Sequence, residues 1–140
     1  MGSGRPLGVT VSGSLNRFFG ALWLLGTLAL MFFAMSPDNR QSVSEGTGVP
    51  PERLDLVLLW WVFMSAARMM SGHWALKGQQ RGRLGMIGVE SLGLVNILIY
   101  PYPNNLPVTL AMVAYNAFVI WYFMWPGVRA WFGQSVVRPL

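Results

Sequence analysis

A long apolar run over Leu54–Leu76 constrains this chain more than any other feature. An α-helix needs about 20 apolar residues to cross a hydrocarbon core ~30 Å thick, and this run has that length. A basic segment, KGQQRGR at residues 77–83, follows it, and a second apolar run covers residues 84–100. The pattern predicts a transmembrane helical hairpin. Each arm carries one ionisable residue deep inside it, Arg68 in the first and Glu90 in the second.

Composition agrees. Charged residues make up 11% of the chain and hydrophobic residues 54%, with a mean hydropathy of +0.45, against about 25% charged in a soluble domain. The chain has no cysteine and one histidine, His73. That excludes disulfides, thiolate nucleophiles and cysteine-ligated metals or clusters, and it excludes a bis-histidine haem within one chain. The net charge of +5 flanks apolar spans, so it speaks for membrane topology rather than nucleic acid. No metal site and no nucleophile–base set is expected. The first apolar run is too long for the core of a secretory signal, and Pro6 stands where a myristoylation signal needs Ser or Thr.

Two more apolar runs, at residues 18–35 and 108–125, complete the expectation: an all-α integral membrane protein with four transmembrane helices in an antiparallel bundle. The spans fall at about 18–35, 54–76, 84–100 and 108–125. Residues 1–17 read as an N-terminal tail, 36–53 as the one sizeable loop, and 127–140 as an interfacial tail. Pro50-Pro51-Glu52 is a helix-start signal, because proline presets φ and glutamate faces the positive helix end. Pro101 to Pro107 reads as a tight turn.

Four spans put both termini on one side. Arg5, Arg17, Lys77, Arg81, Arg83, Arg129 and Arg138 fall there without an acid. Arg40 and Arg53 fall on the other side with Asp38, Glu45, Glu52 and Asp55. The positive-inside bias predicts termini facing the cytoplasm, matrix or stroma. The expected home is an energy-transducing membrane: mitochondrial inner, thylakoid or bacterial plasma. Phe18, Phe19, Trp74, Tyr122, Trp125 and Trp131 would mark one interface, and Phe32, Phe33, Tyr100 and Tyr102 the other.

Arg68 and Glu90 sit roughly 10–14 Å from the hinge at 1.5 Å per residue, so antiparallel packing brings them to one depth. Asn116 shares that depth on the fourth span. Ionisable groups there are costly and face a partner or a cavity. An Arg68–Glu90 ion pair helped by Asn116 or Tyr115 is the economical arrangement, with Asn96 and Ser65 as a second rung. Gly85, Gly88 and Gly93 make one side of the third span smooth, where the closest helix contact is expected, and Gly20 and Gly26 do the same for the first. His73 offers a ligand for haem or chlorophyll, with Met69 or Met70 as a second haem ligand; the plainer reading is a hydrogen-bonded interface residue. Trp60 and Trp61, in mid-span, fit packing against protein, pigment or lipid.

The stretches WWVFMSAAR, residues 60–68, and NILIY, residues 96–100, resemble the middle of the small four-span scaffold proteins of sterol synthesis. Asn96 stands where that family's pattern carries an acid. The resemblance implies a four-span helical fold, and no site or activity is carried over with it.

The functional expectation is a non-catalytic accessory subunit of a larger membrane complex such as a respiratory, ATP-synthase or photosynthetic assembly. Its partners would be other membrane subunits and bound lipid, with no required cofactor and no nucleic acid. The alternative is a small oligomeric proton- or cation-coupled transporter or channel in which Glu90 is the coupling carboxylate.

Overall fold

A computed structural model describes residues 5–99 and 106–134. Among them the chain is all-helical: α1 (Leu7–Ala34), α2 (Pro37–Thr47), a 3-10 turn (Pro51–Arg53), α3 (Leu54–Leu76), α4 (Gln80–Ile99), α5 (Leu106–Met124) and α6 (Pro126–Gln134). Three of these, α1, α3 with its preceding turn, and α5, are long and apolar enough to cross a membrane. The span expected at 84–100 is a helix of 20 residues, α4, but it is not one of the three. Arg81, Arg83, Glu90 and Asn96, together with its glycines, make it the least apolar of the four long helices.

Several expected boundaries move. The first helix begins at Leu7, so the N-terminal tail is helical from there. At 28 residues, α1 is ~42 Å long. The loop at residues 36–53 contains α2. Its start is signalled by Ser36 at the N-cap, Pro37 at the first position and Asp38 in the first turn, and Gly48, at φ 68°, ends it. The basic hinge shrinks to Lys77, Gly78 and Gln79. Gly78, at φ 70°, donates its N–H to the Ala75 carbonyl, and the Gln79 N–H reaches the Trp74 carbonyl. These are the two bonds of a Schellman cap. Of the turn expected over Pro101 to Pro107, residues 101–105, Tyr102 among them, lie outside the described residues, as does Tyr100, while Leu106 and Pro107 already form the start of α5. The C-terminal tail is helical over α6, which lays Val128 and Phe132 against Phe123, Val9 and Met86.

The long helices pack in chain order, α1 on α3, α3 on α4 and α4 on α5. The start of α1 meets the end of α5, where Gly8 lies against Tyr122. Small residues set the α1–α3 contact. Gly13, Gly20, Thr27 and Ala34 recur every seven residues along α1, and all are buried. A Cβ on Gly20 would stand 2.6 Å from the Met69 nitrogen and 2.9 Å from the Ser65 carbonyl, and one on Gly72 would stand 2.6 Å from the Gly13 carbonyl. The backbones therefore touch, which is how helices associate where no hydrophobic force separates side chain from lipid. Gly82 makes a closer approach still, against the backbone of Ala75 across the hairpin. Gly85 packs on Ser71. Gly26 and Gly88 do not fit the expectation of smooth contact faces, since a Cβ on either meets nothing within 4 Å. Both point outward.

Beside its apolar clusters the interior carries many polar side chains, and large apolar side chains cover the outside. The interior holds Ser12, Asn16, Thr27, Ser65, Ser71, Glu90 and Asn116, while Phe32 (79%), Leu98 (77%) and Leu56 (72%) face outward. Exposed apolar area this continuous belongs in lipid or against a partner, and with three apolar spans it marks an integral membrane protein. At the end opposite the hinge, α2 closes a small cluster of Ala34, Val43, Leu54 and Leu58. There Arg40 forms a bidentate pair with Asp55 at 2.9 and 3.0 Å and donates to the Pro51 carbonyl at 2.8 Å.

The two kinds of glycine should separate on substitution. Gly20→Val forces the α1 and α3 backbones apart and is expected to cost about 1–3 kcal/mol, read as a lowered thermal midpoint in detergent. Gly26→Val should leave the midpoint unchanged; equal losses at both positions would contradict this packing.

Candidate functional site: a buried carboxylate held by three helices

Glu90 is fully buried, and so in effect are Asn16 (2% exposed) and Asn116 (1%). The Glu90 carboxylate faces into the bundle because its stretch of α4 lies between α3 and α5, with α1 reaching across the hinge end of the bundle. One oxygen, Oε1, accepts from Asn16 Nδ2 at 2.6 Å, and the other, Oε2, accepts from Arg68 Nη2 at 3.0 Å. The same Arg68 nitrogen lies 3.4 Å from Asn116 Oδ1, and the Tyr115 hydroxyl donates to Asn16 Oδ1 at 3.4 Å. Asn16 Nδ2 also lies 3.1 Å from the Met86 sulfur, one turn before Glu90. The four long helices thus each contribute a polar side chain to one network.

Gly93 makes the crossing of Arg68 possible. A Cβ there would stand 2.9 Å from Arg68 Nη2 and 3.0 Å from Asn116 Nδ2. Its role is clearance for a guanidinium rather than helix-on-helix contact. The network has more donors than acceptors: Arg68 Nε and Asn116 Nδ2 are buried without a hydrogen-bond partner. An unsatisfied buried donor costs about 1–3 kcal/mol. The cluster is thus held by the two short bonds at the carboxylate, which the weaker contacts supplement.

The structure brings Arg68, Glu90, Asn116 and Tyr115 together. It does not bring in Asn96, which is half-buried on the next turns of α4 and makes no hydrogen bond to the cluster. Ser65 instead packs its carbonyl against Gly20. Sequence reasoning passes over Asn16, because it reads residues 1–17 as a tail. A signal for it exists: the small-residue stripe of α1 runs back through Gly13 and Val9, and Asn16 lies on the same face seven residues after Val9.

His73 lies half-buried in an open groove with Arg17, Met69, Met70 and Trp74. His73, Met69 and Met70 share one face of α3 within a single turn. They cannot take the two opposite axial positions of one haem, since side chains one turn apart sit only ~5–6 Å apart on the same side. Among the described residues no group of three or more His, Cys, Asp or Glu side chains is placed to hold a metal ion.

The chain matches no known protein family, no curated protein and no solved structure. The resemblance to the sterol-synthesis scaffolds therefore rests on residues 60–68 and 96–100 alone.

Removing one member of a buried ion pair strands the other, at about 3–5 kcal/mol. Arg68→Met is expected to lower thermal stability in detergent by an amount in that range, and adding Glu90→Leu to it should recover most of the loss. Strictly additive losses in the double variant would mean that the two charges do not sense each other.

Proposed function

We propose that this chain is a four-span, non-catalytic subunit of a larger membrane assembly, and that α4 crosses the bilayer as its third span, between α3 and α5. The observation that carries the reading is the occupancy of Glu90. Both carboxylate oxygens are engaged, by Asn16 and by Arg68, and the residue has no exposed surface. A carboxylate so held acts as a clasp between helices. An ionisable group alone at this depth costs ~2.5–3.5 kcal/mol on insertion scales; pairing it offsets that cost within the bundle. The clasp accounts for the departure of α4 from an ordinary apolar span: its charge faces the bundle, and Leu84, Leu92, Val95 and Leu98 face outward.

A subunit role also fits how little of the described chain lies outside the bundle. Among the described residues, the only elements beyond the long helices are α2, the 3-10 turn and α6, and α2 and α6 each pack on an end of the bundle. Outward-facing Gly26 and Gly88, among large apolar side chains, leave shallow places where another helix approaches closely. The concentration of cations at the hinge end supports termini on the cytoplasmic, matrix or stromal side, and an energy-transducing membrane is the setting proposed with it. The transporter reading needs Glu90 to exchange protons or cations with water, which the two short bonds oppose.

Mild-detergent native electrophoresis followed by mass spectrometry of the band tests the proposal. Co-migration with several unrelated membrane subunits is expected, with Glu90→Gln loosening the chain's attachment. Migration alone or as a small homo-oligomer, with cation or proton flux in liposomes abolished by Glu90→Gln, would overturn it in favour of transport.

A further inference from the structure

The acids of this chain are all placed. Glu90 is buried in its clasp, and Asp38, Glu45, Glu52 and Asp55 belong to α2, the 3-10 turn and the first turn of α3, at the end away from the hinge. Arg17, Lys77, Arg81, Arg83 and Arg129 therefore stand at the hinge end with no acidic side chain to pair with. On this end, between α1 and α3, lies an open groove of about 280 Å³ lined by Arg17, Met69, Met70, His73 and Trp74.

The groove has two halves. Arg17 and His73 make one half cationic and polar, and the Arg81 guanidinium lies 4.5 Å above the Trp74 ring at its rim. Met69 and Met70 make the other half soft and apolar, and Met70 is exposed outward. Arg17 follows Asn16 in sequence, so its Cα lies near the depth of the Glu90 clasp. Helical side chains lean toward their own N-terminus, and the N-terminus of α1 is at the hinge end. The Arg17 stem therefore climbs from apolar depth toward the headgroup layer, as long basic side chains do at an interface. The close α1–α3 approach at Gly13, Gly20 and Gly72 holds Arg17 against the face of α3 that carries His73.

We propose that this groove binds one anionic phospholipid, its phosphate held by Arg17 beside His73 and one acyl chain lying along Met69 and Met70. Charge complementarity selects the headgroup: cations without acids attract an anionic lipid over a zwitterionic one. The apolar half, with Met70 exposed outward, selects a lipid over a free phosphate ion, which has no use for methionines.

The test is native mass spectrometry of the full chain in mild detergent, offered an equimolar mixture of phosphatidylglycerol and phosphatidylcholine. One phosphatidylglycerol should be retained in preference, by about fivefold, the factor equivalent to ~1 kcal/mol for one basic contact. Arg17→Gln should abolish the preference and His73→Gln weaken it, while Arg129→Gln, which removes an equally unpaired cation away from the groove, should leave it intact. Equal retention of the two lipids, or equal losses from Arg17→Gln and Arg129→Gln, would overturn the site in favour of diffuse charge attraction. Full displacement of the lipid by millimolar inorganic phosphate would overturn it in favour of a simple ion site. If Arg17→Gln is not monodisperse, His73→Gln decides: an unchanged preference there refutes the groove.

Discussion

A carboxylate with no exposed surface has to be answered by donors, and the rest of this bundle is arranged around that requirement. Glu90 stands on the least apolar of the long helices. Without Asn16 and Arg68 it would confront either lipid or an apolar interior at a cost of several kcal/mol. With them, α4 gains a reason to face one way only. The bonds reach α1 and α3 directly and α5 through Asn116 and Tyr115. In a bilayer, where apolar side chains gain little by leaving lipid for protein, such a clasp supplies the orientation that a hydrophobic core supplies in water.

The clasp works only because the backbones come close. Gly20 against Met69, Gly72 against Gly13 and Gly82 against Ala75 bring three helices within reach of short polar side chains such as asparagine. Gly93 then leaves the gap through which Arg68 reaches both Glu90 and Asn116. Small residues and the buried charge are thus one device: packing sets the distance, and the ion pair sets the register. The same close approach puts Arg17 and His73 on the two walls of one groove.

Much of this is legible in the sequence. The bounds of α3 are legible because Pro50-Pro51-Glu52 starts it and Gly78 stops it. The shared depth of Arg68 and Glu90 follows from counting residues to the hinge. The first turns of α1 are less legible, since GVTVSGS carries no strong helix former and reads as a tail; only the seven-residue stripe through Gly13, Gly20, Thr27 and Ala34 reveals that the helix extends and that Asn16 faces inward. Likewise α2 is short and polar, and its existence rests on the Ser36-Pro37-Asp38 start and the Gly48 stop. Glycine content alone does not say which way a glycine points. Gly20 and Gly26 are alike in sequence and opposite in place, because facing depends on the partner helix.

The most direct measurement is a pair of nitrogen–carbon distances by solid-state NMR on the chain in lipid bilayers, from the Asn16 side-chain nitrogen and the Arg68 guanidinium to the Glu90 carboxyl carbon. Two strong couplings are expected, matching donor–oxygen distances of 2.6 and 3.0 Å. Coupling to Arg68 alone would detach α1 from the clasp, and coupling to neither would contradict it outright.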